Sequence, residues 1–374
     1  MTKIFIALIG FVLLIYGALV LISPSETPAT TDPGSATTTT TGSTPVAEPV
    51  VIADELAIPW DIAFLQDGSY LVTERPGDVL HISSNGSTTR IKISTGVAGE
   101  GGLLGLVLHP DYARNHFVYV YMSEKAGTIT SNRVVRYTYE DEKLDSAKEI
   151  IKGIPGALYH DGGRMEFGPD GKLYITTGDA TRGALAQDKS SLAGKILRLN
   201  DDGTIPSDNP FDTAVYSYGH RNPQGLAWDE SGQLWETEHG PTGEAGKCCR
   251  DEINKIVKGG NYGWPTIIGD EKAEGLISPA WHSGDDTWAP ASLVYHDGAL
   301  YFGGLIGTSV YKATLSDGAI KSLDSYTDGE YGRIRTIRKG PDSMFYITTS
   351  NTDGRGRSLP HDDRIIRFDP RSFE

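Results

Sequence analysis

One phrase recurs along the chain: apolar residues, a Pro/Asp/Gly turn, then a short aromatic and β-branched run. It occupies Ile62–Gly77, Leu106–Ser123, Met165–Asp179, Leu226–Gly240, Leu293–Leu305 and Ile337–Ser350. An Asp-Gly-type turn between runs of period-2 alternation reads as a β-hairpin. Six copies over about 320 residues recur every 45–65 residues or so, room for four strands and variable loops. No long helical periodicity competes with them. The expectation is an all-β, six-bladed β-propeller over residues 50–374; a pair of β-sandwiches is the main competing architecture. A propeller gathers loops from every blade around one axial mouth, so segments distant in sequence can build one site.

The remaining 49 residues have a different character. Residues 4–22 (IFIALIGFVLLIYGALVLI) form an uncharged run of 19. That is close to the ~20 apolar residues of a membrane-spanning helix and longer than the ~7–15 of a signal-peptide core. Residues 1–22 therefore read as an N-terminal transmembrane anchor with the rest of the chain outside the cytoplasm. Cleavage of the segment would make the protein secreted. Residues 23–49 are Thr- and Pro-rich with little to bury, and read as a disordered linker. The chain carries 34 basic and 49 acidic side chains, a net charge of −15. This argues against nucleic acid, whose binding needs a basic surface. Two adjacent cysteines, Cys248 and Cys249, exclude a disulfide framework and a four-cysteine zinc site.

The motifs of P-loop nucleotide binding, zinc proteolysis and the nucleophile elbow are absent. Gly99-Glu100-Gly101-Gly102 lacks the rest of a dinucleotide fingerprint. Chemistry concentrates instead at the blade edges. His160 precedes the third repeat and Asp179 closes it, 19 residues on. A hairpin of that length can bring its ends together, and an Asp accepting from a His ring N–H supports a general base. A satisfied structural histidine is the bland alternative. Arg221, Asn222 and Gln224 place a guanidinium and two amides before a strand, suited to carboxylates or carbonyl oxygens or to an inter-blade network. Arg333 and Arg335 sit two apart on one strand, suggesting an acidic ligand or a solvated edge. Glu238, Asp251 and Glu252, with the Gly- and Pro-rich run Gly260–Pro265, could hold a hard cation such as Ca²⁺ or form only a loop network.

These residues converge on a resemblance. From about Leu56 to Phe368 the chain resembles the soluble, pyrroloquinoline quinone (PQQ)-dependent glucose/sorbosone dehydrogenases, in particular the aldose sugar dehydrogenases. The matching stretches include IPWDIAFLQDGSYLVTERPG, GEGGLLGLVLHPDY, HDGGRMEFGPDGKLYITTGD, GHRNPQGLAWD, EHGP with DEINKIVKGGNYGWP, and GRIRTIRKGPD. The resemblance implies a six-bladed propeller that oxidises aldoses at C1 to lactones. His160 looks like the base taking the C1 hydroxyl proton, with a hydride passing to the quinone. Asp179 looks like its partner, and Arg221 like the residue over the quinone oxygens. Asn222, Arg333, Arg335 and Glu100 fall at further cofactor positions. Gly240 and Pro241 would offer carbonyls to the Ca²⁺ beside PQQ, and Glu252 with Tyr262 would hold a structural Ca²⁺. Reduced PQQ implies an external electron acceptor, a quinone or a small redox protein.

Three departures from the family pattern stand out. Glu100 replaces a Gln, placing a carboxylate where it is unfavourable unless protonated or turned toward a cation. Ile306 stands where a Lys is usual. Gly243–Arg250 looks like an insertion, its cysteines either bridged or free. Two other functions compete: a non-catalytic surface propeller binding a glycan or protein, and a calcium-dependent propeller lactonase.

Overall fold

Each repeat condenses into an antiparallel sheet of four strands, and the described residues hold six such sheets. The computed structural model describes residues 45–374, Thr128 excepted. Five blades are simple meanders of consecutive strands. Their innermost strands are Pro59–Phe64, Leu103–Leu108, Met165–Phe167, Pro223–Trp228 and Pro290–His296. The sixth blade runs outward from Ile334–Lys339 through Phe345–Thr349 and Ile365–Phe368. Its outermost strand is Val50–Ala53, the first strand among the described residues. The ring is thus closed by pairing the two ends of the propeller.

The second strands Tyr70–Glu74, Leu173–Thr177 and Leu234–Glu238 are buried at every position. Period-2 alternation here does not separate core from water. It separates two neighbouring blades, so polar residues such as Thr176, Glu236 and Glu238 are buried as well. The apolar cores lie between blades. Tyr119 and Tyr121 pack with Leu173, Ile175 and Leu197, while Trp235 and Ile253 pack with Leu293 and Phe302. The second repeat departs from the Asp-Gly hairpin: a helical turn, Tyr112–Asn115, links its strands.

At the axis the inner strands are tied by charge. The fully buried Arg164 reaches Asp61 at 2.7 Å, donates to the Gln224 carbonyl and Thr336 Oγ1, and lies 4.3 Å over the Trp60 ring. One side chain from the third blade thereby touches the first, fourth and sixth.

Val46–Glu374 forms one compact unit. The last residues assigned to the linker belong to it, because Ala47 donates its N–H to Asp369 Oδ2 at 3.2 Å. The apolar run 4–22 and most of the linker lie outside the described residues. Among the described residues no helix is long and apolar enough to cross a membrane.

Candidate active site

The strand Leu173–Thr177 returns antiparallel to Met165–Phe167, which carries Asp179 back to the loop holding His160. His160 Nδ1 lies 2.7 Å from Asp179 Oδ1, with both side chains buried. An ionised carboxylate only accepts, so the ring proton is on Nδ1 and Nε2 is left as the basic nitrogen. Three further bonds fix the pair. Thr181 N–H donates to Asp179 Oδ1 at 2.7 Å, Trp264 Nε1 donates to Asp179 Oδ2 at 2.8 Å, and Asp179 N–H donates to the Arg221 carbonyl. His160 itself has φ 64°, a left-handed conformation unusual for a residue with a Cβ. Such strain, of order 1–3 kcal/mol, is tolerated where surrounding contacts impose it. Gly178 admits this turn, since a Cβ there would lie 2.0 Å from the His160 carbonyl oxygen.

His160 lines a cavity of about 370 Å³ together with Glu100, Arg221, His239, Arg333 and Arg355. Glu100 is turned toward a cation: it accepts from Arg355 Nη1 at 2.6 Å and from the His160 N–H at 2.9 Å. Burial opposes its ionisation, but His239, the His160 N–H and Arg355 together hold it down at about 2. The buried His239 is pushed to about 3 by desolvation, with Arg221 and Arg335 adding to the effect and Glu100 opposing it. It is neutral at physiological pH, so Arg355 and the His160 N–H carry the stabilisation of Glu100 there.

The two arginines of the sixth blade differ. Arg333 is matched by Asp353, through Nε at 3.1 Å and Nη2 at 2.8 Å, and donates from Nη1 to the Leu305 carbonyl. Repulsion between the two neighbouring arginines is therefore met partly by an internal carboxylate. Arg335 has only neutral partners, Gln224 Oε1 at 3.0 Å and the Trp60 ring at 5.7 Å, and no ion pair among the described residues. Burial, with Arg333 adding, lowers it to about 9. Arg221 pairs with Glu244 through Nη2 and donates from Nη1 to the His239 carbonyl. Asn222 Oδ1 accepts from the Gly162 N–H at 3.1 Å, tying the fourth blade to the His160 loop.

The cation candidates cluster behind this wall. Glu236, Glu238 and Glu252 are all buried around one amide, Asn254 Nδ2, at 3.1, 3.1 and 3.3 Å. Burial, reinforced by Glu238, pushes Glu252 up to about 8. The Tyr262 hydroxyl donates to the Lys255 carbonyl and accepts from the Val257 N–H. Its backbone carbonyl is the oxygen it can offer an ion. Gly240 and Pro241 line the small cavity next to Glu252 and Tyr262. Gly240 must be glycine, since a Cβ would lie 1.8 Å from the Cys249 carbonyl oxygen.

Several participants had no signal in the sequence. Asp353 and Arg355 come from a loop whose only clue is proximity in the fold, and His239, though within the EHGP stretch, was given no role. Asp251 was singled out as a cation ligand, but its two oxygens accept backbone N–H groups of Gly240, Trp288 and Ala289. The insertion forms a loop in which Cys248 and Cys249 are disulfide-bonded to each other, and it delivers Glu244 to Arg221. Ile306 lines the same cavity as Arg333 and is exposed.

A buried histidine–carboxylate pair and several buried guanidinium groups thus meet at one cavity of a six-bladed propeller. Residues 56–362 match the family described as Glucose / Sorbosone dehydrogenase, and the chain belongs to it. It is 32% identical over 344 residues to the aldose sugar dehydrogenase of Escherichia coli K12, covering 81% of this chain and 90% of that one. It is 36% identical over 256 residues to quinoprotein glucose dehydrogenase B of Acinetobacter calcoaceticus, covering 59% of this chain and 52% of that one. The PQQ-bound aldose sugar dehydrogenase of Streptomyces coelicolor superposes with a TM-score of 0.79 at 37% identity, covering 87% of this chain and 99% of that one. The Acinetobacter relative is named a quinoprotein, and the Streptomyces neighbour holds PQQ.

Proposed function

We propose that this chain oxidises aldose sugars at C1 to lactones, with PQQ and Ca²⁺ as cofactors. The observation that carries the reading is the His160–Asp179 pair opening onto the same cavity as Arg221 and Arg333. The residues suit an acidic cofactor. Nε of Arg221, Nε of Arg335 and Nε2 of His239 are buried without partners, and Arg335 has no carboxylate of its own. Arg221, Asn222, Arg333 and Arg335 would hold PQQ. The carbonyls of Gly240 and Pro241 would hold the adjacent Ca²⁺, and Glu252 with the Tyr262 carbonyl a structural one. Oxygen donors of this kind suit a hard cation.

PQQ, when bound, supplies the two-electron acceptor. The protein's part is proton handling and orientation. His160 Nε2 accepts the proton of the anomeric hydroxyl, and Asp179 stabilises the resulting imidazolium and keeps the ring aimed. Arg221 faces developing negative charge from a buried, preorganised position. Glu100, ion-paired with Arg355, adds no unpaired carboxylate to the pocket. The apolar run 4–22 and the Thr-rich linker support a catalytic domain tethered to a membrane on the extracytoplasmic side, passing electrons to a quinone or small redox protein.

The test is to strip the purified protein with chelator and restore Ca²⁺ and PQQ. Reduction of an artificial acceptor is then followed with a panel of aldoses. Turnover should require both additions. His160→Ala should lower it by about 10²–10⁴-fold while PQQ binding, read by absorbance, persists. Failure to bind PQQ would overturn the reading.

A further inference from the structure

We infer that Trp264 is a positioning residue of this site, aligning Asp179 with its indole N–H while its ring backs the Arg221 guanidinium. The motif Gly260–Pro265 drew notice as cation-binding backbone, yet its tryptophan is used differently. Trp264 Nε1 donates to Asp179 Oδ2 at 2.8 Å within a buried contact. The other oxygen, Oδ1, already serves His160 Nδ1 and the Thr181 N–H. Among the described residues Trp264 is the one hydrogen-bond donor to Oδ2. Without it the carboxylate is anchored through one oxygen and can turn about its Cβ–Cγ bond. Turning moves Oδ1 out of line with the imidazole.

The indole is itself held. Trp264 N–H donates to the Gly219 carbonyl at 2.9 Å, and Gln187 Nε2 donates to the Trp264 carbonyl at 2.7 Å. Gln187 and Asn261 exchange amide bonds at 3.0 and 2.8 Å beside it. Gly183 makes the space: a Cβ there would sit 3.1 Å from Trp264 Nε1 and 3.1 Å from Pro265 Cβ. The Arg221 guanidinium carbon lies 5.5 Å from the ring centre, within cation–π range. One side chain thus sets the base and the cation that the proposed reaction uses together.

This inference takes His160 as the base, so its turnover arm rests on the proposed function; its spectroscopic arm does not. Two variants remove the N–H: Trp264→Phe, and site-specific replacement of Trp264 by benzothienylalanine, which keeps the indole's size with sulfur in place of Nε1. The ring Nδ1–H proton of His160 is observed by NMR in protein free of PQQ. kcat, KM and the PQQ dissociation constant are measured in reconstituted protein. Both variants should shift the His160 resonance and lower kcat about tenfold, the scale of a hydrogen bond lost to a charged group. KM and PQQ affinity should stay within about twofold of the unaltered protein. An unmoved resonance with unchanged kcat overturns the inference. So does a loss in Trp264→Phe that the benzothienylalanine protein does not share, because that is packing alone. Should the unaltered protein show no PQQ-dependent turnover, the resonance decides.

Discussion

Asp161, next to the proposed base, has an ionisation set almost wholly by its surroundings. Burial raises it from 3.8 to about 6, against hydrogen bonds from Asn132 and the Ala157 N–H, and its Oδ2 has no partner. In the unfolded chain the group ionises near pH 4; in the fold it keeps its proton to about pH 6. Between these values the folded state binds more protons, so stability falls as pH rises through the window and stays reduced above it. The rise from 3.8 to about 6 corresponds to about 3 kcal/mol at most. Asp161→Asn should remove this slope. The change in urea midpoint between pH 4 and pH 7 should differ between variant and parent by the Asp161 contribution, since groups such as Glu252 and His239 keep theirs in both; an identical change in the two proteins would show that Asp161 is not a group responsible. The site was legible at this scale where its parts are local in sequence. His160 and Asp179 lie on one hairpin, so chain geometry alone brings them together. Trp264 reaches Asp179 from 85 residues away, and Arg355 reaches Glu100 from 255. Such pairings depend on how blades pack, and nothing local in the sequence encodes them.

The strand-turn-strand elements were the most legible part of the chain, because two-residue alternation and Asp-Gly turns act within a few residues. What alternation could not show is that both faces are buried. That is why Glu236 and Glu238, spaced like solvent-facing residues, lie inside. The segment Gly240–Asp251 is the opposite case. Its cysteines left two states open, and its backbone path is set by contact with itself: Gly240 against Cys249, and Thr242 bridged to Cys248. Gly240→Ala puts a methyl where only 1.8 Å separates it from the Cys249 oxygen. The segment must move, at a cost of roughly 1–3 kcal/mol. Because the same residue would present a carbonyl to Ca²⁺, the variant should lower both thermal stability and calcium affinity, measured by scanning calorimetry and calcium titration. Unchanged calcium affinity beside lowered stability would remove Gly240 from the cation site.

Ring closure is a property of the whole molecule, and it was the part of the architecture hardest to foresee. Val50–Ala53 is only four residues long and partly exposed, with no turn signal joining it to a hairpin. Its partners are more than 300 residues away: Val50 faces Arg367, Val51 faces Ile366 and Ala53 faces Ile365. Placing the domain boundary at residue 50 kept the strand but gave no indication of its role. A sheet edge without this strand presents unpaired N–H and C=O groups, a template for pairing with another chain. The ring would also be held by side-chain packing between blades with no strand spanning its two ends. Three truncations separate this contribution from that of the preceding residues. Protein starting at residue 45 keeps the strand and the Ala47–Asp369 bond; protein starting at residue 54 loses both. A third, starting at residue 49, keeps the strand and loses the bond. The residue-54 protein should melt roughly 3–8 °C below the residue-49 protein, the scale of a few net backbone hydrogen bonds in a domain of this size. It should also self-associate on gel filtration as concentration rises. Equal melting temperatures and equal elution for these two would mean that inter-blade packing alone closes the propeller.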